Sequence, residues 1–196
     1  MSVTLHRRKV VRSLLERRGQ LLVVAGLGSS AWDCTDAGDH PLTFPLWGAM
    51  GSASMIGLGL ALAQPKRRVL VVTGDGEMLM GLGSLAAIGA QRPKNLSIVV
   101  LDNERYAETG MQKTHTAYGA DLASIAQACG FAEARIVKRD AELAPMRTSV
   151  YRARGPFFFQ VKVRADTLPL VLPPRDGNAL RHRFREALLG KNVANR

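Results

Sequence analysis

The sequence predicts an α/β fold, a three-layer doubly wound parallel sheet with helices on both faces. Three observations predict it. Short apolar runs alternate with helical periodicity along the chain, the pattern of strands joined by crossover helices. Two of those runs, 69–73 and 96–101, are near-continuously apolar, as parallel strands covered on both faces are. Each run delivers an oxygen-bearing segment, Gly74-Asp75-Gly76 after the first and Asp102-Asn103 after the second. Open parallel sheets hold their ligands beyond the carboxyl ends of their strands.

The elements follow in order. Val10, Val11, Leu14 and Leu15 recur at helical spacing, which predicts a helix over 5–18 closed by Gly19. Residues 20–25 read as a short buried strand, 26–39 as loop, and 42–47 as extended chain. A helix crowded with small residues is expected over 48–63, ended by Pro65. Strand 69–73 leads through a turn to a helix over about 79–91, and strand 96–101 leads to an irregular loop over 102–119. Asp121 is placed to cap a helix that runs to Cys129 and is closed by Gly130. Two more strands, 134–137 and 157–163, flank a helix over about 142–153. The chain reads as one domain across 1–196, with a Pro-rich tail and a basic helix over 167–196.

Composition bounds the function. Apolar content of 46% and charged content of 22% fit an ordinary soluble globule. No window is apolar enough for a membrane span and the N-terminus has no apolar signal core, so a cytoplasmic protein is expected. Cys34 and Cys129 form neither a metal spacing nor a disulfide framework. The net charge of +11 raises nucleic acid as a partner. The basic residues are dispersed, however, with clusters at His6–Lys9 and Arg181–Arg185 and no interleaved aromatics. A basic surface serves an anionic cofactor, an anionic substrate or an acidic partner chain equally well, and no nucleic-acid binding is expected.

Asp75 and Asn103 stand 28 positions apart, each at a predicted strand end. Such oxygen ligands suit Mg²⁺ or Ca²⁺, and Mg²⁺ commonly shares its shell with phosphate. Gly74-Asp75-Gly76-Glu77 alone is also a common Asp-Gly turn. Gly26-Leu27-Gly28-Ser29-Ser30-Ala31 fits G-x-G-x-x-A after a strand. That is a weak dinucleotide signal, because 32–41 reads as turn and no second strand ends in an acidic residue. Met50 taken alone is a core filler, and His115 and Lys113 taken alone are surface loop residues.

The combination of Gly74-Asp75-Gly76, Asp102-Asn103, Tyr106-Ala107-Glu108-Thr109-Gly110-Met111-Gln112 and Gly48-Ala49-Met50-Gly51-Ser52-Ala53-Ser54 resembles the diphosphate-binding (PP) domain of thiamine diphosphate enzymes. The likeness covers about residues 20–163 and is nearest to the beta subunit of sulfopyruvate decarboxylase and the matching part of phosphonopyruvate decarboxylase. Asp102 departs from the Asn usual in the family motif.

The resemblance implies several roles. Asp75, Asn103 and the carbonyl of Arg105 would hold Mg²⁺. Gly28, Ser29, Ser30, Ala49, Gly74, Gly76, Glu77 and Tyr106 would join the cofactor-binding set. Met50 would bend thiamine diphosphate into its reactive shape, and His115 is the candidate for substrate contact or proton transfer. A second, pyrimidine-binding (PYR) domain of about 150 residues, which supplies an activating Glu, has no room here and is expected on a partner subunit. The implied reaction is decarboxylation of a small anionic 2-oxo acid. Carboligation of acetolactate synthase type and oxo-acid oxidation stay open as alternatives, as do a dinucleotide-binding oxidoreductase and a basic binding protein.

Overall fold

The computed structural model describes residues 5–152 and 154–191. In chain order the elements are α1 (Arg7–Leu15), β1 (Leu22–Ala25), α2 (Ser29–Asp36), β2 (Thr43–Pro45), α3 (Ala53–Ala63), β3 (Val69–Gly74), α4 (Asp75–Met80), α5 (Ser84–Gln91) and β4 (Leu96–Asp102). A two-stranded ribbon of β5 (Arg105–Tyr106) and β6 (Gln112–Lys113) follows. The remainder comprises α6 (Leu122–Ala128), β7 (Glu133–Val137), α7 (Leu143–Arg152), β8 (Phe157–Lys162) and α8 (Gly177–Leu189).

Six strands form one sheet in the order β2-β1-β3-β4-β8-β7, and every neighbouring pair is parallel. Successive side chains along a strand point to opposite faces, and the core divides accordingly. Val23, Leu70, Val99 and Phe159 face a layer built from α1, α2 and α7. Val24, Val71, Ile98 and Phe158 face α3, α5 and α6, with Phe184 of α8 joining them. The fold is therefore the expected three-layer α/β sandwich. β1 is paired to β2 on one side and β3 on the other, so the chain reverses direction across the sheet at β1. A crevice opens at such a reversal, beyond the carboxyl ends of the strands.

Asp121 caps α6 as expected, accepting the Ser124 N–H at 2.9 Å. Four expectations are corrected. Residues 29–36 form α2 rather than loop, because buried Ala31 and Cys34 pack on the sheet and the fully buried Asp33 finds arginine partners in α1. The helix expected over 48–63 begins at Ala53, because Ala49 and Gly51 take left-handed φ values of 57° and 90° in the preceding turn. The helix expected over 79–91 is two helices, α4 and α5, broken around Gly81. A Cβ on Gly81 would stand 2.1 Å from the Gly51 carbonyl oxygen. The loop over 102–119 contains the β5–β6 ribbon. Among the described residues no helix is long and apolar enough to cross a membrane.

Helix layers meet closely where glycine allows it. A Cβ on Gly89 of α5 would fall 1.7 Å from the Cys129 carbonyl oxygen at the end of α6. Gly→Ala inside a helix ordinarily stabilises by about 0.5–1 kcal/mol, whereas overpacking costs about 1–3 kcal/mol. Gly89→Ala is therefore expected to lower the urea unfolding free energy by about 1–2 kcal/mol, with a lower midpoint and unchanged slope. A higher midpoint would contradict this packing.

Candidate functional site

Loops after β1, β3 and β4 enclose a cavity of about 120 Å³ at the reversal point. Gly28, Ser29 and Ser30 contribute its first wall, Gly74 to Glu77 its second, and Asn103, Arg105 and Tyr106 its third, with Met50 at one side. Gly28 is the N-cap of α2 with φ of 67°, a conformation glycine adopts without a Cβ penalty. The first turn of α2 holds Ser29, Ser30 and Ala31 and no acidic side chain, so its free N–H groups are suited to an anion.

Glu77 lines this cavity, and its buried Oε1 has no hydrogen bond among the described residues. Its Oε2 accepts the Thr73 hydroxyl at 2.7 Å and would lie 1.9 Å from a Cβ on Gly26. Burial pushes its pKa up, against bonds from Thr73 and from the backbone of Gly51, Ala53 and Leu27. Glu77 thus fastens the loop after β1 and the Met50 turn to α4. The first glycine of the G-x-G pattern serves that approach.

Two carboxylates lie buried at the ends of β3 and β4, and they are treated differently. Asp102 meets the Lys162 ammonium at 2.7 Å, accepts from Gln160 Nε2 at 2.6 Å, from the Thr116 hydroxyl at 2.8 Å and from the Glu104 N–H at 3.1 Å. Lys162 also meets Glu104 at 2.8 Å. Asp75 is 1% exposed and meets hydroxyls only, from Thr114 at 2.5 Å and Thr116 at 3.2 Å on Oδ2. Burial, with the neighbouring Asp102 acting in the same direction, pushes the Asp75 carboxyl up to about 6 against those hydroxyl bonds. Among the described residues no cation pairs with Asp75. A buried carboxylate without a counter-charge is costly, and a divalent cation would supply the missing charge.

Asn103 and the backbone around it complete the oxygen-donor set on this side. Asn103 Oδ1 accepts the Arg105 N–H at 3.0 Å, and Glu104 takes a φ of 61°. This tight turn brings Asn103, Arg105 and Asp75 to one cavity. One carboxylate, one amide and one carbonyl are hard oxygen donors of the kind Mg²⁺ takes, and they leave room in its shell for phosphate and water.

The remaining candidates fall on two sides. Met50 is 38% exposed and borders both the main cavity and a second depression lined by Gly76, Leu79, Met80, Tyr106 and His115. His115 is therefore brought beside Met50 and Tyr106. The Tyr106 ring covers Gly76, where a Cβ would sit 2.5 Å from it. Lys113 lies 5.6 Å over the Tyr118 ring. Ala49 faces a separate depression with Phe44, Trp47 and Leu180, so it is not gathered with the other candidates.

Sequence reasoning missed Thr114, Thr116, Lys162 and Arg7. The two threonines alternate around His115 and are buried, with hydroxyls on the Asp75 and Asp102 carboxylates. Lys162 closes β8 and answers the Asp102 departure. Arg7 is buried and lines the main cavity, although the sequence places it in a basic run. The helix after Gly28 supplies one context that the dinucleotide reading lacked. Its second requirement still fails, because β2 ends in Pro45 with Leu46 beyond it.

Comparison with known proteins shows the family and the fold. The family described as "Thiamine pyrophosphate enzyme, C-terminal TPP binding domain" matches residues 27–161. The beta subunit of sulfopyruvate decarboxylase from Methanocaldococcus jannaschii is 41% identical over 62% of this chain and 64% of its own length. Phosphonopyruvate decarboxylase from Streptomyces viridochromogenes is 38% identical over 80% of this chain and 39% of its own length. The chain thus spans less than two thirds of either relative. A solved structure of a putative thiamin diphosphate-dependent enzyme from Mycobacterium smegmatis superposes with a TM-score of 0.71, at 22% identity over 83% of this chain and 32% of that one. That is a likeness of fold.

The Asp102–Lys162 pair generates a test. Removing one partner of a buried pair costs about 3–5 kcal/mol. Lys162→Met is expected to destabilise the fold by about that much in urea unfolding, and adding Asp102→Asn is expected to recover most of it. A double variant no more stable than Lys162→Met would contradict the pairing.

Proposed function

We propose that this chain, which belongs to the thiamine pyrophosphate enzymes and carries their C-terminal TPP-binding domain, is a PP subunit of a thiamine diphosphate- and Mg²⁺-dependent 2-oxo acid decarboxylase. The substrate class is a small anionic 2-oxo acid of sulfopyruvate or phosphonopyruvate type. A PYR-domain subunit on another chain completes the active site. The carrying observation is that the α2 N-terminus, Asp75, Asn103 and Arg105 line one cavity at the carboxyl ends of β1, β3 and β4. Relatives named as sulfopyruvate and phosphonopyruvate decarboxylases support the reaction class.

In this reading Asp75, Asn103 and the Arg105 carbonyl hold Mg²⁺, and the N–H groups at Gly28 to Ser30 take phosphate oxygens. Glu77 borders the ligand space and packs on Gly26 of the loop after β1. Bound thiamine diphosphate supplies the electron sink for the pair left when CO₂ departs. Met50 shapes the space beside it from a turn held by Ala49 and Gly51 in left-handed conformations. His115, exposed and lining one depression with Met50 and Tyr106, would exchange a proton with substrate.

Two observations support a partner chain. The cavity of about 120 Å³ is well below the roughly 300 Å³ of a small-molecule site. The segments around it expose large apolar side chains, with Met80 at 67% and Tyr118 at 76%, of the kind a subunit interface covers.

Calorimetric titration of thiamine diphosphate into the chain copurified with a PYR-type subunit is expected to show Mg²⁺-dependent binding. Asp75→Ala and Asn103→Ala are each expected to weaken it at least about 100-fold, as loss of a metal ligand should exceed the 10–100-fold of outer-shell changes. The wild-type pair is expected to release CO₂ from sulfopyruvate or phosphonopyruvate. Binding that ignores Mg²⁺ and both substitutions would overturn the reading.

A further inference from the structure

The first turn of α1 is carried to the carboxyl edge of the sheet by main-chain bonding. The Leu5 carbonyl accepts the Arg164 N–H at 2.9 Å, directly beyond β8. Arg7 follows, 5% exposed, in the wall of the same cavity as Gly28, Ser29 and Ser30. It lies ahead of the residues 27–161 matched by the family.

Its bonding is incomplete. Asp33 faces both Arg7 and Arg8, and Arg8 is nearer, at 3.2 Å with a hydrogen bond, against 3.5 Å for Arg7 Nε. Arg7 Nε is buried without a hydrogen bond, and among the described residues the Arg7 guanidinium makes none at all. A guanidinium carries five N–H donors suited to planar oxyanions, and leaving it buried and unbonded is costly. Arg8 takes Asp33 Oδ1, and the Oδ2 that Arg7 Nε approaches at 3.5 Å has no hydrogen bond either. That contact engages one edge of the Arg7 guanidinium and leaves its terminal N–H groups without a hydrogen bond among the described residues.

The other side of the cavity points the same way. The α2 N-terminus beside Arg7 has no acidic residue in its first turn. A carboxylate, that of Glu108, already stands over it, with Oε1 2.9 Å from where a Gly28 Cβ would be. Glu108 and Arg7 line the same cavity.

We propose that Arg7 is a ligand-binding residue whose guanidinium receives the phosphate end of the anion held over the α2 N-terminus, with Asp33 as its positioning residue. The Glu108 carboxylate gives way to that phosphate on binding. This assignment rests on the site reading given under Proposed function.

The test titrates Mg²⁺ with thiamine diphosphate, and separately Mg²⁺ with inorganic pyrophosphate, into the full chain with its PYR-type subunit. Arg7→Met keeps the buried stem and removes the charge. It is expected to weaken both ligands about 10- to 100-fold, while the melting temperature without ligand stays level or rises. Arg7→Lys is expected to weaken both by less. Wild-type binding with unchanged affinities in Arg7→Met would overturn the role of Arg7 and leave the site reading standing. No thiamine diphosphate binding by the wild type would overturn both. If Arg7→Met does not fold, Arg7→Lys decides: weakened pyrophosphate binding supports the assignment and unchanged binding overturns it.

Discussion

Two carboxylates buried side by side, Asp75 at the end of β3 and Asp102 at the end of β4, constrain everything around them. Each is at most 1% exposed, and burial together with the nearby Asp102 charge raises the proton affinity of Asp75. The protein neutralises one of them with Lys162 and gives the other only hydroxyls. Thr116 touches both. Asp102 thereby becomes structural, fixing the turn through Glu104 that presents Asn103 and Arg105. Asp75 is left without a cationic partner among the described residues and faces a cavity it shares with Asn103 and Arg105. The charge of Asp102 is met by Lys162 at 2.7 Å.

A second constraint is how closely backbones must pass. Gly26 makes room for Glu77, Gly76 for the Tyr106 ring, and Gly81 for the carbonyl of Gly51. These contacts fasten the loops after β1 and β3 and the Met50 turn to one another. The positions of Met50 and of the α2 N-terminus therefore follow from packing at three glycines. Arg7 belongs to a separate layer, joined to the site through α1 and Asp33 of α2.

Much of the fold was legible because parallel strands covered on both faces write themselves as apolar runs. β3 and β4 lie within a residue of the expected bounds, and the Asp121 cap was readable from local chemistry. α2 was not legible. Its sequence buries only small side chains and a charged Asp33, whose placement depends on Arg7 and Arg8 more than 20 residues away. α4 is six residues long, too short to show a helical period. Asp75 and Asn103 could be singled out because two strand ends delivered them. Thr114, Thr116 and Lys162 could not, since no spacing marks a residue whose partner is a carboxylate far away in the chain.

The central claim is that one cavity holds a metal at Asp75 and Asn103 and a diphosphate over the start of α2. A crystal structure of the chain grown with thiamine diphosphate and Mn²⁺, with anomalous scattering recorded for manganese, tests it most directly. The account predicts an anomalous peak at coordination distance from Asp75 and Asn103, with the diphosphate lying between that peak and Gly28–Ser30. A peak elsewhere, or a diphosphate bound away from α2, would contradict it.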